Sequence, residues 1–181
     1  MNLNPPQPTA SNRLSKLALI FLLAPLAFSV GCAERVDEAL VGHRTLLLQD
    51  AAPESFTTIE SAQKNIEQSP LITIEGRADL KAMASEKPRA SFLVREILED
   101  DEHGGSGHDP STCPFCKRRL ALAPKAFVVF VDDEGEVIPY DVGKLFSIEH
   151  GDVVVVEGQG TLDTTLDLFK VIASSVFVRH E

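Results

Sequence analysis

Gly151-Asp152-Val153-Val154-Val155-Val156-Glu157-Gly158, then Leu166-Asp167-Leu168-Phe169-Lys170-Val171-Ile172-Ala173-Ser174-Ser175-Val176-Phe177-Val178, is the stretch on which the fold turns. Four consecutive valines bounded by turn residues and a glycine read as a strand. The second run is longer and reads as the final strand. Its alternation is broken at Ser174-Ser175, as a β-bulge would break it.

Three further strands are predicted upstream. Leu71 to Ala78 alternates around Ile72 and Ile74, and Ser91 to Leu98 is rich in β-formers, with Lys81 to Arg89 as the connection. Ala126-Phe127-Val128-Val129-Phe130-Val131 is almost unbroken apolar sequence. Asp132-Asp133-Glu134-Gly135 has the composition of a turn, and Val137-Ile138-Pro139 returns from it. Between this strand and the valine strand, Asp141 to Ile148 allows one or two helical turns with Val142, Leu145 and Phe146 inward.

The order strand, strand, strand, short helix, strand, strand from Leu71 to Arg179 resembles an OB-fold. That resemblance implies a mainly β domain: a five-stranded Greek-key barrel with a short helix between strands 3 and 4. Another small β-barrel or a sandwich is the alternative, because short strands with turn signals do not fix pairing. The connection between strands 2 and 3, residues 99–125, is too long for a hairpin loop and needs something to order it.

That insertion holds the chain's densest chemistry. His103 and His108 flank a glycine-rich run, and Cys113-Pro114-Phe115-Cys116 follows. Two thiolates and two neutral imidazoles suit tetrahedral Zn²⁺, with the thiolates cancelling the charge of the ion. Copper(I) is the competing metal for such soft donors. Cys113 to Lys117 resembles the Cys-Pro-x-Cys knuckle of zinc ribbons and rubredoxins, families that normally supply a second knuckle; here His103 and His108 would take its place, with Asp101 or Asp109 as substitutes or supports. The other readings of the pair are a Cys113–Cys116 disulfide, an inert reduced pair, and a thiol–disulfide redox centre. The redox centre needs the first cysteine at a helix N-terminus, and Leu120 to Pro124 promise little helix. Haem attachment would need a histidine where Lys117 stands.

At the N-terminus, Arg13 and Lys16 precede the apolar run Leu17 to Phe28, which is too short and interrupted for a membrane span and reads as a secretory signal. Ser29-Val30-Gly31-Cys32 resembles the lipobox of bacterial lipoproteins, with Ser29 where leucine is more usual. The resemblance implies removal of residues 1–31, acylation of Cys32 and attachment to the lipid bilayer. Ala33 after the cysteine implies the outer membrane, facing the periplasm. Residues 32–70 are then expected to be an acylated tether with one short helix, its capping box formed by Thr57 and Glu60, and residues 71–181 the barrel.

Residues 1–31 contain two of the 17 basic residues and none of the 27 acidic ones, which leaves 15 against 27. So acidic a chain repels phosphate backbones, and one tyrosine without tryptophan is a poor stacking platform, so nucleic acid is not the expected partner. No nucleophile elbow, phosphate loop or His-Glu-x-x-His helix is present. Two function classes follow. One is a non-catalytic, membrane-anchored binding or structural lipoprotein with a zinc-stapled loop, engaging a protein, glycan or small ligand. The other is a periplasmic thiol–disulfide or metal-handling protein. His43, His150 and His180 are expected to be solvated histidines without a role.

Overall fold

The computed structural model describes residues 37–81, 87–98 and 113–180. The signal sequence, Cys32, Asp101, His103, His108 and Asp109 lie outside them. The elements are α1 (Glu38–Leu47), α2 (Ile59–Asn65), β1 (Leu71–Asp79), β2 (Ser91–Arg95), α3 (Pro114–Leu122), β3 (Lys125–Phe130), α4 (Val142–Phe146), β4 (Val153–Asp163) and β5 (Leu168–Arg179). The fold is mainly β: a five-stranded mixed sheet in the order β1-β2-β3-β5-β4 whose first and last members pair, closing a ring. Four pairings are antiparallel, and β3 with β5 is parallel.

The valine strand closes the ring because it pairs on both sides. Val153 to Val156 lie opposite Arg77 to Ile74 of β1 and Arg179 to Val176 of β5. All four valines are buried. The expected bulge is present: Glu157 pairs with Ser175 and Gly158 with Ala173, so Ser174 is the extra residue. Its hydroxyl donates to the Glu157 carbonyl at 3.2 Å, and Ser175 donates to the Glu157 carboxylate at 2.8 Å. A β-carbon on Gly158 would collide with the Ile172 carbonyl oxygen and stand 2.8 Å from Ala173 Cα. The three nearest atoms are all backbone, so the clash is not relieved by turning a side chain. Gly158→Ala is therefore expected to cost about 1–3 kcal/mol in urea unfolding, the range of overpacked interiors; an unchanged midpoint would count against the tight crossing.

Alternate residues of the strands fill the interior with Ile74, Phe92, Val94, Val128, Phe169 and Val171. Helix α4 adds Val142, Leu145 and Phe146, the face predicted from their spacing. Its start is fixed by Asp141, whose carboxylate accepts from the Gly143 and Lys144 N–H groups at 2.8 and 3.3 Å. Phe146 packs on Phe130 with ring centroids 4.7 Å apart, a tilted aromatic pair.

Two expectations for the N-terminal side are corrected. From Asp37 onward the segment read as tether belongs to the body: α1 is capped by Asp37, which accepts from Leu40 N–H at 3.2 Å and from the Tyr140 hydroxyl at 2.9 Å. Leu40, Leu47 and Leu48 pack against the core, and Gln49 N–H donates to the Val176 carbonyl at 2.8 Å. The Leu40 N–H, then the Tyr140 hydroxyl, hold the Asp37 carboxyl below its ordinary range, and the same bond pushes the Tyr140 phenol up. The cap of α2 is Thr58, one residue later than expected, because Thr57 is taken by the sheet: its N–H donates to the Thr73 carbonyl and its carbonyl accepts from Glu75 N–H. Glu60 turns to Lys64 at 2.6 Å instead of closing a capping box. Ile59, Ala62 and Ile66 face inward as their spacing implied. Among the described residues no helix is long and apolar enough to cross a membrane.

Candidate functional site

The cysteine pair opens a helix that the sequence did not promise. Pro114 occupies the first turn of α3, where a missing N–H costs nothing and its fixed φ favours helix, and Cys113 is the N-cap. Cys113 Sγ accepts from Cys116 N–H at 3.5 Å, within the longer reach of sulfur. The expectation that this stretch lacks a sustained helix is therefore overturned: α3 runs nine residues, from Pro114 to Leu122. Proline placement, rather than apolar periodicity, was the signal that could have found it.

The two thiols are not equivalent. Cys113 is lowered from its ordinary value, first by the hydrogen bond from the Cys116 thiol and then by the N–H groups of Cys116 and Phe115. Cys116 is raised, because its proton is engaged by Cys113 and because it is partly desolvated. Both are half-buried and both stand as thiols. Of the two, Cys113 is therefore the more readily deprotonated and the more nucleophilic sulfur. Iodoacetamide at neutral pH is accordingly expected to modify Cys113 before Cys116 in reduced, metal-free protein, with the difference closing as pH rises through the thiol range; peptide mapping reads the order, and simultaneous labelling would contradict it.

Helix α3 has no buried residue. Phe115 and Leu122, one heptad apart, are 81% and 74% exposed, and Lys117, Arg118 and Arg119 also face solvent. Its C-terminal end leads through buried Ala123 into β3, while Glu96 N–H reaches the Pro124 carbonyl at 2.9 Å. The N-terminal end carries the cysteines. Of the four predicted metal ligands the structure thus brings Cys113 and Cys116 together, while His103 and His108 fall outside the described residues. Among the described residues no group of three or more histidine, cysteine, aspartate or glutamate side chains converges as a metal site.

The remaining histidines have local partners. His180 Nδ1 lies 2.9 Å from buried Asp152, which also accepts from Glu149 N–H at 2.8 Å; His150 lies 3.7 Å from Asp79, and His43 tilts against Tyr140. In comparisons with known proteins the chain matches no family model and no curated protein.

Proposed function

We propose that this chain is an exported lipoprotein, anchored through acylated Cys32 to the outer membrane and facing the periplasm. Its body serves as a non-catalytic, OB-like Greek-key barrel for binding or structure, with a zinc ion on Cys113, Cys116, His103 and His108 ordering the insertion 99–125. The strand order β1-β2-β3-β5-β4, the parallel β3–β5 pair and the placement of α4 between β3 and β4 support the OB-like reading.

The observation that carries the metal reading is α3 itself. Nine residues are below the length at which an isolated helix is stable in water, and none of this helix's side chains is fully buried. It opens on two soft donors, one of them with its thiol pKa lowered by its neighbours. The donor chemistry fits zinc: thiolates supply charge and affinity, and the Cys116 N–H directed at Cys113 Sγ stabilises the anionic sulfur. A structural ion at that end would fasten the helix and link it to the histidine-bearing part of the insertion. The ion supplies cross-linking here, and the protein residues supply its electrostatic environment.

A second reading, thiol–disulfide exchange, is favoured by one specific observation, the position of Cys113 at a helix N-terminus with a lowered thiol and a higher partner three residues on. Hydrogen exchange with and without a chelator separates the two. The metal reading predicts that amides of residues 115–122 lose protection on chelation while β4 and β5 keep theirs. Unchanged protection, together with ready oxidation of the pair to a disulfide, would replace the metal reading with the redox one.

A further inference from the structure

Helix α3 presents two unlike faces. Between Cys113 and Leu122 only Cys113, Cys116 and Leu120 are half-buried, and their helical spacing puts them on one side. Leu120 lines a cleft with residues of β1 and β2, so this is the side turned to the sheet. Phe115, Arg118, Arg119 and Leu122 follow the i, i+3, i+4, i+7 spacing of a second face, and all four are exposed. Phe115 and Leu122 stand along its middle, 81% and 74% exposed, with an arginine to either side. Arg119 also has a contact within the chain, whereas the side chains of Lys117 and Arg118 make no hydrogen bond or ion pair with the described residues.

The occupant of this face carries negative charge. In a chain with 27 acids, no aspartate or glutamate occurs from Pro110 to Val131, while Lys117, Arg118, Arg119 and Lys125 do. Charges farther off are screened over about 10 Å at 0.1 M salt, so the field at α3 is set locally. Leu166 makes the contrast: it is 70% exposed, but its N–H donates to Asp163 at 3.1 Å and Asp167 follows it. A second copy of the chain is disfavoured on α3, because a two-fold contact would set its arginines against themselves. A folded protein partner is disfavoured by size. A nine-residue helix is about 14 Å long, and two apolar side chains on a convex surface fall well short of the ~800 Å² per partner of a stable interface. A fluid bilayer needs no complementary surface, accepts single aromatic and aliphatic side chains, and attracts the cations beside them.

We propose that the Phe115–Leu122 face of α3 docks on the surface of a bilayer containing anionic phospholipid. The two apolar side chains enter the headgroup–acyl boundary and Arg118 pairs with phosphate. The docking requires neither the acyl anchor at Cys32 nor the zinc ion, since Cys113 and Cys116 occupy the other side of the helix.

The test is photocrosslinking of the full chain to vesicles whose lipids carry a diazirine in the acyl chain, with peptide mapping of the adducts. Vesicles of phosphatidylcholine with phosphatidylglycerol are expected to label residues 114–122, and pure phosphatidylcholine to label them less. Phe115→Ser with Leu122→Ser should lower that yield by roughly tenfold or more, the factor that one buried apolar side chain carries. Arg118→Gln should lower it about fivefold in the anionic vesicles alone, as loss of one surface cation does. Leu166→Ser should leave it unchanged. All four positions are exposed, so the sheet should persist in every variant, which circular dichroism checks. Adducts confined to the segment around Cys32 would report the anchor without α3 and overturn the docking, as would equal labelling of α3 in parent and double variant. Self-association lost in the double variant, with no adduct on α3, would give the face to a second copy and overturn it too.

Discussion

Phe130→Ala is expected to lower stability by about 3–5 kcal/mol, the cost of truncating a fully buried aromatic side chain. Phe130 has no exposed surface, sits at the end of β3 and packs against Phe146 of α4. Its backbone is engaged as well: its N–H donates to the Ala90 carbonyl at 2.8 Å and its carbonyl accepts from Ile138 N–H at 3.1 Å. The side chain therefore joins the ring of strands to α4, which lies in the β3–β4 connection and adds Val142, Leu145 and Phe146 to the core. Urea unfolding measures the loss, and a cost under 1 kcal/mol would mean that α4 does not depend on this contact.

Cys116→Ser is expected to abolish metal retention and to release α3 while sparing the sheet. A serine hydroxyl is a poor zinc donor beside a thiolate, and the site would keep at most one sulfur. Cys113→Ser should also lose the ion, yet it should retain more helix, because serine is a strong N-cap and Cys113 occupies that position. The pair thus separates ligand loss from cap loss. Hydrogen exchange of residues 115–122 should rise more in the Cys116 variant than in the Cys113 variant, with β4 and β5 unaltered in both. Equal protection in parent and both variants would contradict a fastening role for the sulfurs.

Much of the sheet was legible in the sequence because β-forming runs between turn residues leave a direct mark. Val153 to Val156 read as a strand, and Ser174-Ser175 broke the alternation where the register does slip. The helix α4 was legible for a similar reason: Val142, Leu145 and Phe146 repeat at the spacing of one buried face. Helix α1 was not, since none of its residues is fully buried and its anchor, the Tyr140 hydroxyl on Asp37, spans 103 positions of sequence. Helix α3 escaped the same pattern reading because it buries nothing, and only Pro114 marked its start.

The site divides along the same line. Spacing alone identified Cys113 and Cys116 as a pair, since two cysteines three positions apart meet in any compact turn. Their inequality was invisible, because it arises first from the hydrogen bond between the two thiols, whose geometry the turn sets. The alignment of Arg77, Arg95 and Lys125 was hidden more deeply, since they are remote in sequence and only the pairing of β1, β2 and β3 places them opposite one another.

Elemental analysis of full-length protein purified without chelator tests the proposed metal centre most directly. About one zinc ion per chain is expected, held by the cysteine pair and lost in Cys116→Ser. Metal-free protein with an intact, protected α3 would contradict the proposal and leave the helix to be held by other means.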